Sequence, residues 1–483
     1  MRDIALLVVF IPMLLGGVRQ VHAAVMVWIW TALAAPNSFL FGVLQQAPLN
    51  KIAAGISVFA LVADRTRQRF LVDATFVFHT LFIVQGAVTL AFSLTEIPRS
   101  FDLYDKMVKI WLLVCVMRTA NRERLQIHSI LIMLTLSLGL HGILEGTKYI
   151  WTLGSHKVIA TVTLGDNNSF AMAMLMMLPF FIYLYRYSKA GTVRIGFAVS
   201  GVLVLLGVMA SASRGAVIGL MVLALMILMQ NRRKLLGLFV LAVAGIAVAC
   251  FAPTQWLDRM DTILRASEDS SFMGRVASWK MHMIVALNRP LTGGGFSSLE
   301  DPAVYRQFVG EFGLLDFIPS TPPVGVLAAH SIYFEVLGDT GVIGLFLFLG
   351  FLIAWFATLR QIKRTTRGSP SLAWAHDLAT AFERSLIVYG ISGAALSAAY
   401  FENVYIEGTL AGMLAACVRA TINARPGLAA PGMIRPGNGN GGAVPASASA
   451  GSAGLRPSEA IPPHVIRPWG TVQPERSWSW GQV

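Results

Sequence analysis

The chemistry-bearing residues of this chain centre on His330, which opens a long apolar run and is followed inside it by Glu335 and Asp339. An imidazole near neutral pH can take a proton from an attacking hydroxyl, which is general-base work. Carboxylates inside an apolar run are expensive and normally face a cavity or a partner. Glu335 and Asp339, about one and two helical turns below the histidine, are therefore expected to orient the ring or line a water-accessible chamber. A polar helix start would account for His330 alone, but not for the two acids. Gly338, Gly341 and Gly344 recur at spacing three and thin one helix face. That pattern points to close helix packing rather than chemistry. Glu402, Asn403 and Glu407 follow at a later turn and could line the same chamber, with Glu402 otherwise a boundary charge.

Three arginines extend the pattern. Ser211-Ala212-Ser213-Arg214-Gly215 joins two apolar runs with almost no loop. Arg214 could snorkel to headgroups, but its planar, permanently charged fork also grips phosphate oxygens in two places. The first turn of the following helix offers free N–H groups to the same anion. Gly274-Arg275 supplies a second guanidinium, which matters because a diphosphate carries two anionic groups; Arg289 is a third candidate. Asp166, Asn167 and Asn168 precede another apolar run. One helix cap needs a single such side chain, so the remaining groups are candidates for sugar or phosphate contacts.

These residues are carried by apolar segments. Hydrophobic residues make up 55% of the 483-residue chain and charged residues 13%, against about 25% charged in a soluble domain. Mean hydropathy is +0.64. The expected fold is all-α, a polytopic integral membrane protein. Apolar runs lie near 4–18, 21–35, 49–63, 70–94, 103–118, 126–145, 168–185, 193–211, 214–230, 234–252, 330–359, 380–400 and 402–418. A span needs roughly 20 residues, so 12 or 13 transmembrane helices are expected from these runs. The three cysteines, Cys115, Cys250 and Cys417, have neither a disulfide framework nor metal spacing. No cleavable signal peptide is evident.

The net charge of +13 sits mostly in short loops between runs. Its reading is topological, with basic loops on the cytoplasmic side, and not nucleic-acid binding. Clusters at Arg65–Arg69, Arg118–Arg124, Arg186–Arg194, Arg232–Lys234, Arg360–Arg367 and Arg419–Arg425 mark every second loop. The intervening segments, including 146–167, the turn 211–214 and the loop 253–329, then face outward. This gives N-terminal membrane helices over 1–252, a periplasmic loop over 253–329, C-terminal membrane helices over 330–420 and a disordered cytoplasmic tail over 421–483. Within the loop, 272–287 reads as an amphipathic helix lying on the membrane surface. Val276, Trp279, Met283 and Leu287 form its apolar stripe, and Arg275, Lys280 and His282 lie elsewhere. The tail is rich in Gly, Pro, Ala and Ser and cannot bury a core.

No Walker loop appears, so ATP hydrolysis is not expected. No acidic pair in the outward loops has a metal-site pattern, and no nucleotide-sugar fingerprint is present. Chemistry without metal or cofactor on a pre-activated donor fits better.

Gly165-Asp166-Asn167-Asn168, Ser213-Arg214-Gly215, Gly274-Arg275 with Trp279, Arg289-Pro290-Leu291 with Gly293–Phe296, and His330-Ser331 with Gly338-Asp339-Thr340-Gly341 together resemble the O-antigen ligase (Wzy_C) superfamily. That group includes O-antigen ligases, bacterial O-oligosaccharyltransferases and Wzy-type polymerases. The resemblance covers roughly residues 1–420. Pro36-Asn37 and the 139–180 stretch look most like the exosortase A-associated branch of O-glycosylation ligases. The resemblance implies a glycan donor on undecaprenyl diphosphate in the bacterial inner membrane and metal-independent transfer at the periplasmic face. It implies that His330 activates the acceptor hydroxyl, and that Arg214 and Arg275 hold the diphosphate as leaving group. The acceptor would be a protein or the lipid A core. Ser331 departs from the family, where many members have Asn, which bears on acceptor handling. A polymerase would differ only in its acceptor. A transporter would instead place titratable groups deep in several spans, whereas here charge gathers at one outer mouth.

Overall fold

The computed structural model describes residues 2–65, 67–120, 122–161, 164–230, 270–323, 325 and 328–424. The expected run 234–252, the basic cluster Arg232–Lys234, the start of the long loop and the tail beyond 424 lie outside these residues. The chain is an all-α polytopic membrane protein. Its helices are α1 (Arg2–Arg19), α2 (Val21–Leu33), α3 (Leu49–Ala63), α4 (Ala74–Ala91), α5 (Pro98–Met117), α6 (Arg124–Trp151), α7 (Asn167–Tyr187), α8 (Gly191–Ala210), α9 (Arg214–Gln230), α10 (Ser270–Asn288), α11 (Pro302–Val309), α12 (Ile332–Thr366), α13 (Ala373–Ser392) and α14 (Glu402–Ala424). Each described apolar run became one helix.

Among the described residues, five helices, α4, α6, α7, α8 and α12, are by themselves long and apolar enough to cross a membrane, and α2, α3 and α9 are shorter apolar helices. This count falls below the 12 or 13 spans expected from the apolar runs. The difference has a chemical source, because α5, α13 and α14 carry charged residues that dilute their apolar windows. Those charges are mostly matched inside the protein. Lys106 on α5 pairs with Glu402 at 3.1 Å, and Arg360 pairs with Glu383 of α13 at 2.8 Å.

Burial separates the centre of the bundle from its rim. On α7 every residue from Phe170 to Phe181 is buried, and on α14 every residue from Asn403 to Ala415. A helix apolar on all sides and wholly enclosed is a core helix. On α8, Ile195, Val199 and Val202 are exposed at helical spacing, and on α9 Ile218, Met221, Leu225 and Met229 do the same. Such stripes require an apolar solvent, which the bilayer provides.

Residues 270–323 form more than a loop with one surface helix. Helices α10 and α11 enclose a second apolar core of Ala277, Met281, Ile284, Val285, Leu299, Val304, Tyr305, Phe308 and Phe312. The expected stripe of Val276, Trp279, Met283 and Leu287 is therefore not the face that this core uses; Leu287 is exposed and the other three are half-buried. Lys280 and His282, assigned to a polar face, are both buried. Lys280 reaches Asp316 at 3.2 Å and lies 4.0 Å from the centre of the Phe312 ring. The aliphatic stem of a lysine packs as apolar surface while its head finds a partner, so periodicity alone misassigned that face.

Candidate functional site

The entrance to α7 and the turn before α9 are joined side chain to backbone. A short hairpin pairs Ala160 with Asp166 and Thr161 with Gly165, and delivers Asp166 to the helix start. The Asp166 carboxylate accepts the backbone N–H groups of Asn168 and Ser169 at 2.7 and 2.8 Å, as an N-cap does. The two asparagines do something else. Asn167 donates to the Ser211 carbonyl at 2.8 Å, and the Ser213 hydroxyl donates to the Asn168 side-chain oxygen at 2.7 Å. Ser213 also accepts the Ala216 N–H at 3.2 Å, capping α9, so Arg214 begins that helix directly beside Asn168. Arg214 is half-buried. Among the described residues, a methyl group added at Gly215 would meet only the Ser213 hydroxyl, at 3.8 Å.

A second junction lies where α12 breaks. Gly341 has φ 74° and ψ −172° inside an otherwise continuous helix. That left-handed φ is one that residues with a Cβ rarely adopt. The segment after α10 fills the break. Gly294 and Gly295 donate to the Gly338 and Asp339 carbonyls at 2.9 and 3.0 Å, and Val342 donates to Pro290 at 2.8 Å. From α4, the Gln85 amide donates to the Leu291 and Thr340 carbonyls at 2.6 and 3.2 Å. Backbone groups freed by a helix break inside a membrane must find such partners. Arg289 serves the same junction, donating to the Gly293 carbonyl at 3.0 Å and the Phe92 carbonyl at 2.7 Å.

The two acids of α12 are taken up nearby. Glu335 accepts the Ala399 N–H at 2.9 Å. Asp339 accepts the Ser297 N–H at 3.1 Å and the Tyr400 hydroxyl at 2.8 Å. Lining a chamber is thus not what the hydrogen bonds of Glu335, Asp339 and Arg289 serve; these residues tie α12 to the α13–α14 turn and to the segment after α10.

His330 is different. It is exposed, with φ 48°, in the left-handed region. Its backbone N–H donates to the Ser397 hydroxyl at 2.8 Å, and its carbonyl accepts the Trp279 indole N–H at 3.3 Å. Trp279 is stacked on Phe334 with ring centres 5.4 Å apart. The Ser278 hydroxyl fastens the preceding segment by donating to the Ala328 carbonyl at 2.6 Å. The wall around the imidazole and then the Arg275 guanidinium hold its pKa below the usual 6.5, while the Asp166 carboxylate pushes it up. Arg275 from α10 and Asp166 from the start of α7 therefore each lie within electrostatic reach of His330. Arg214 is linked to this group through Asn168 and Ser213. The expected neutral ring at neutral pH is what a proton acceptor needs. One turn after Ser278, His282 is buried and bonded to the Ser278 carbonyl at 2.8 Å. Burial above all, with a smaller contribution from His330, lowers its pKa to about 4.

Sequence reasoning missed Ser397, Tyr400 and Gln85 as parts of this frame, because isolated polar residues in apolar runs have no spacing signal. It also placed charge at one mouth only. The structure buries His79, Glu383 and Glu407 within helices of the bundle as well, and Arg118 just after the end of α5. These have local partners. Arg118 pairs with Asp73 at 3.0 Å, Asn403 donates to Glu407 at 2.5 Å, and His79 stacks on Tyr405 with ring centres 4.4 Å apart.

Residues 198–349 match the O-antigen ligase family. The match places this segment with the O-antigen ligase superfamily. Residues 1–189 match a family of unknown function, and no curated protein matches the chain. The O-antigen ligase match spans Arg214, Arg275, Arg289, His330, Glu335 and Asp339, whereas Asp166, Asn167 and Asn168 fall in the other family. The cluster thus joins the two matched regions. The O-antigen ligase match supports a ligase- or polymerase-like role in glycan processing at a membrane, and that family implies a lipid-linked glycan donor.

Proposed function

We propose that the chain is a glycan ligase that moves an oligosaccharide from undecaprenyl diphosphate to an acceptor hydroxyl at the periplasmic face of the inner membrane. The observation that carries this reading is the exposed imidazole of His330 within electrostatic reach of Arg275 and Asp166, in a chain whose residues 198–349 match this superfamily. In the reaction, the neutral His330 ring takes the acceptor proton as the hydroxyl oxygen bonds to the anomeric carbon of the donor. The bond from that carbon to the diphosphate oxygen breaks, and its electron pair leaves with the diphosphate. Arg214 and Arg275 hold that leaving group, whose charge grows in the transition state. Asp166, Asn167 and Asn168 keep the entrance of α7 in place beside it, and Asn168 contacts the first donor sugar. No metal or cofactor enters the scheme. In this reading the segment carrying α10 and α11 lies on the periplasmic side and the end of α14 on the cytoplasmic side.

The acceptor is a protein hydroxyl or the lipid A core. The exosortase A-associated resemblance of 139–180 favours the protein. A Wzy-like polymerase uses the same donor chemistry with a second lipid-linked glycan as acceptor. The deciding experiment reconstitutes the purified chain with a lipid-linked oligosaccharide and offers each acceptor in turn. Transfer to protein or lipid A core that His330→Ala abolishes supports the ligase. Chain extension alone assigns the polymerase, and transfer by His330→Ala at the native rate removes His330 from the mechanism.

A further inference from the structure

At the opposite end of the bundle, the helices that start at the candidate site finish around a cavity of about 820 Å³. α7 contributes Ile182 and Arg186, α9 contributes Ile227, α12 contributes Lys363, and α13 contributes Asp377 and Arg384. A volume of this size is within the range of ligand sites, roughly 300–1,000 Å³. The cavity has an apolar floor and a cationic rim.

The rim is unevenly compensated. Arg186 pairs with Asp377 at 2.8 Å, and Lys363 pairs with Glu383, which also holds Arg360. Arg384 instead donates to the neutral side-chain oxygen of Gln230 at 2.8 Å, and its Nε is buried with no hydrogen-bond partner among the described residues. Asp377 and Glu383 act on this half-buried guanidinium only at longer range, with no ion pair to it among the described residues, so its desolvation is only partly offset. A phosphate oxygen would supply an ion-pair partner, and guanidinium suits phosphate geometrically.

We propose that this cavity binds the phosphate of an anionic phospholipid, with its acyl chain along Ile182 and Ile227. The floor favours a lipid over a soluble anion, because Ile182 is 46% exposed on the apolar surface of the bundle. Arg186 and Lys363 belong to the basic clusters that the charge pattern assigns to the cytoplasmic side, where anionic lipid concentrates. The placement gives such a lipid a mechanical role. α7, α9 and α12 start beside Asp166, at Arg214 and just after His330, so a lipid seated here braces the far ends of the helices that carry the candidate site. The binding site stands independently of the proposed reaction.

The test uses the full chain in neutral detergent, titrated by native mass spectrometry with phosphatidylglycerol, phosphatidylcholine and inorganic phosphate. Phosphatidylglycerol is expected to be retained in preference to phosphatidylcholine. Replacing both Arg186→Gln and Arg384→Gln should weaken it about 30-fold, taking roughly 1 kcal/mol per cation. Ile182→Trp keeps every charge and starts from an exposed position, so it tests the floor without threatening the fold. It should weaken phosphatidylglycerol and leave inorganic phosphate unaffected. Phosphate binding that the charge pair abolishes, with no preference between the lipids, keeps the anion site and assigns it to a soluble phosphate, overturning the lipid. Undiminished phosphatidylglycerol retention in the charge pair and in Ile182→Trp overturns the site itself.

Discussion

His330 and Gly341 stand eleven residues apart on either side of the same half-helix, and their surroundings are opposite. Around Gly341 the polar groups named here all have a partner inside the protein: Asp339 holds Ser297 and Tyr400, Gln85 holds two carbonyls, and Arg289 holds two more. Among the described residues, only the backbone is held around His330, by Ser397 and Trp279, and the side chain stays exposed. Polar residues in a membrane helix are expensive in both places. What separates frame from site is whether the protein itself satisfies them. If that distinction is right, changes at the two positions should fail in different ways.

The largest expected effect is His330→Ala. General-base contributions are about 10²–10⁴-fold in rate, so transfer should fall by at least about 10²-fold, while elution profile and apparent melting temperature match wild type. A variant that is equally inactive because it aggregates would break the comparison, since His330 would then belong to the frame.

Gly341→Ala should do the reverse. The new Cβ would sit 2.5 Å from the Pro290 carbonyl oxygen at a φ of 74°, and strain of this kind costs about 1–3 kcal/mol before the clash is counted. Detergent-solubilised yield and melting temperature should drop sharply. Activity per folded molecule should change less than in His330→Ala.

His282 sharpens the contrast through pH. Its folded pKa of about 4 lies below the ordinary 6.5, so it is neutral in the fold and would be protonated in the unfolded chain between those values. Stability is then fully present above pH 6.5 and is lost as the pH falls toward 4, by up to about 3 kcal/mol for a shift of this size. Melting curves of wild type and His282→Gln, compared across this window, should converge as pH falls. A constant gap between them would mean that the ring is not neutral in the folded protein. His330, with its pKa also lowered, should give transfer an acidic limb at a pH below 6.5. Activity falls there as the ring is protonated.

Much of this division was legible in the sequence, and the part that was not has a common cause. Apart from α10, which came from its periodicity, and α11, apolar runs gave every described helix, because burial in lipid or core demands long apolar stretches. The short turn at Ser211–Gly215 placed Arg214 at a helix start, which the structure shows. The glycines at 338, 341 and 344 read as packing, and Gly338 and Gly341 do face His282 and the Pro290 segment. Glu335, Asp339 and Arg289 read as ligands because a sequence reports that a polar group is present, not who satisfies it. Their partners, such as Ala399, Ser297 and Phe92, are backbone groups distant in the chain, and backbone donors leave no mark on residue type. The α10 face failed for a related reason: an aliphatic stem ending in a charge counts as polar in a periodicity, yet Lys280 is enclosed.

The smallest expected effect lies at the seam between the two regions. Trp279 touches the site only through its indole N–H on the His330 carbonyl, while its ring is stacked on Phe334. Trp279→Phe keeps an aromatic ring for the stack and removes the hydrogen bond, worth about 1 kcal/mol, or about five-fold. Because His330 holds a left-handed φ of 48° between two anchors, loss of one anchor should let the ring wander from its working position. The expected result is a fall of about five-fold in kcat with donor KM unchanged, an acidic limb at the same pH, and a melting temperature close to wild type. Trp279→Ala should add a loss of stability from the missing stack. If the Phe variant leaves kcat untouched, the indole belongs with the frame, and His330 is positioned by Ser397 and its own chain alone.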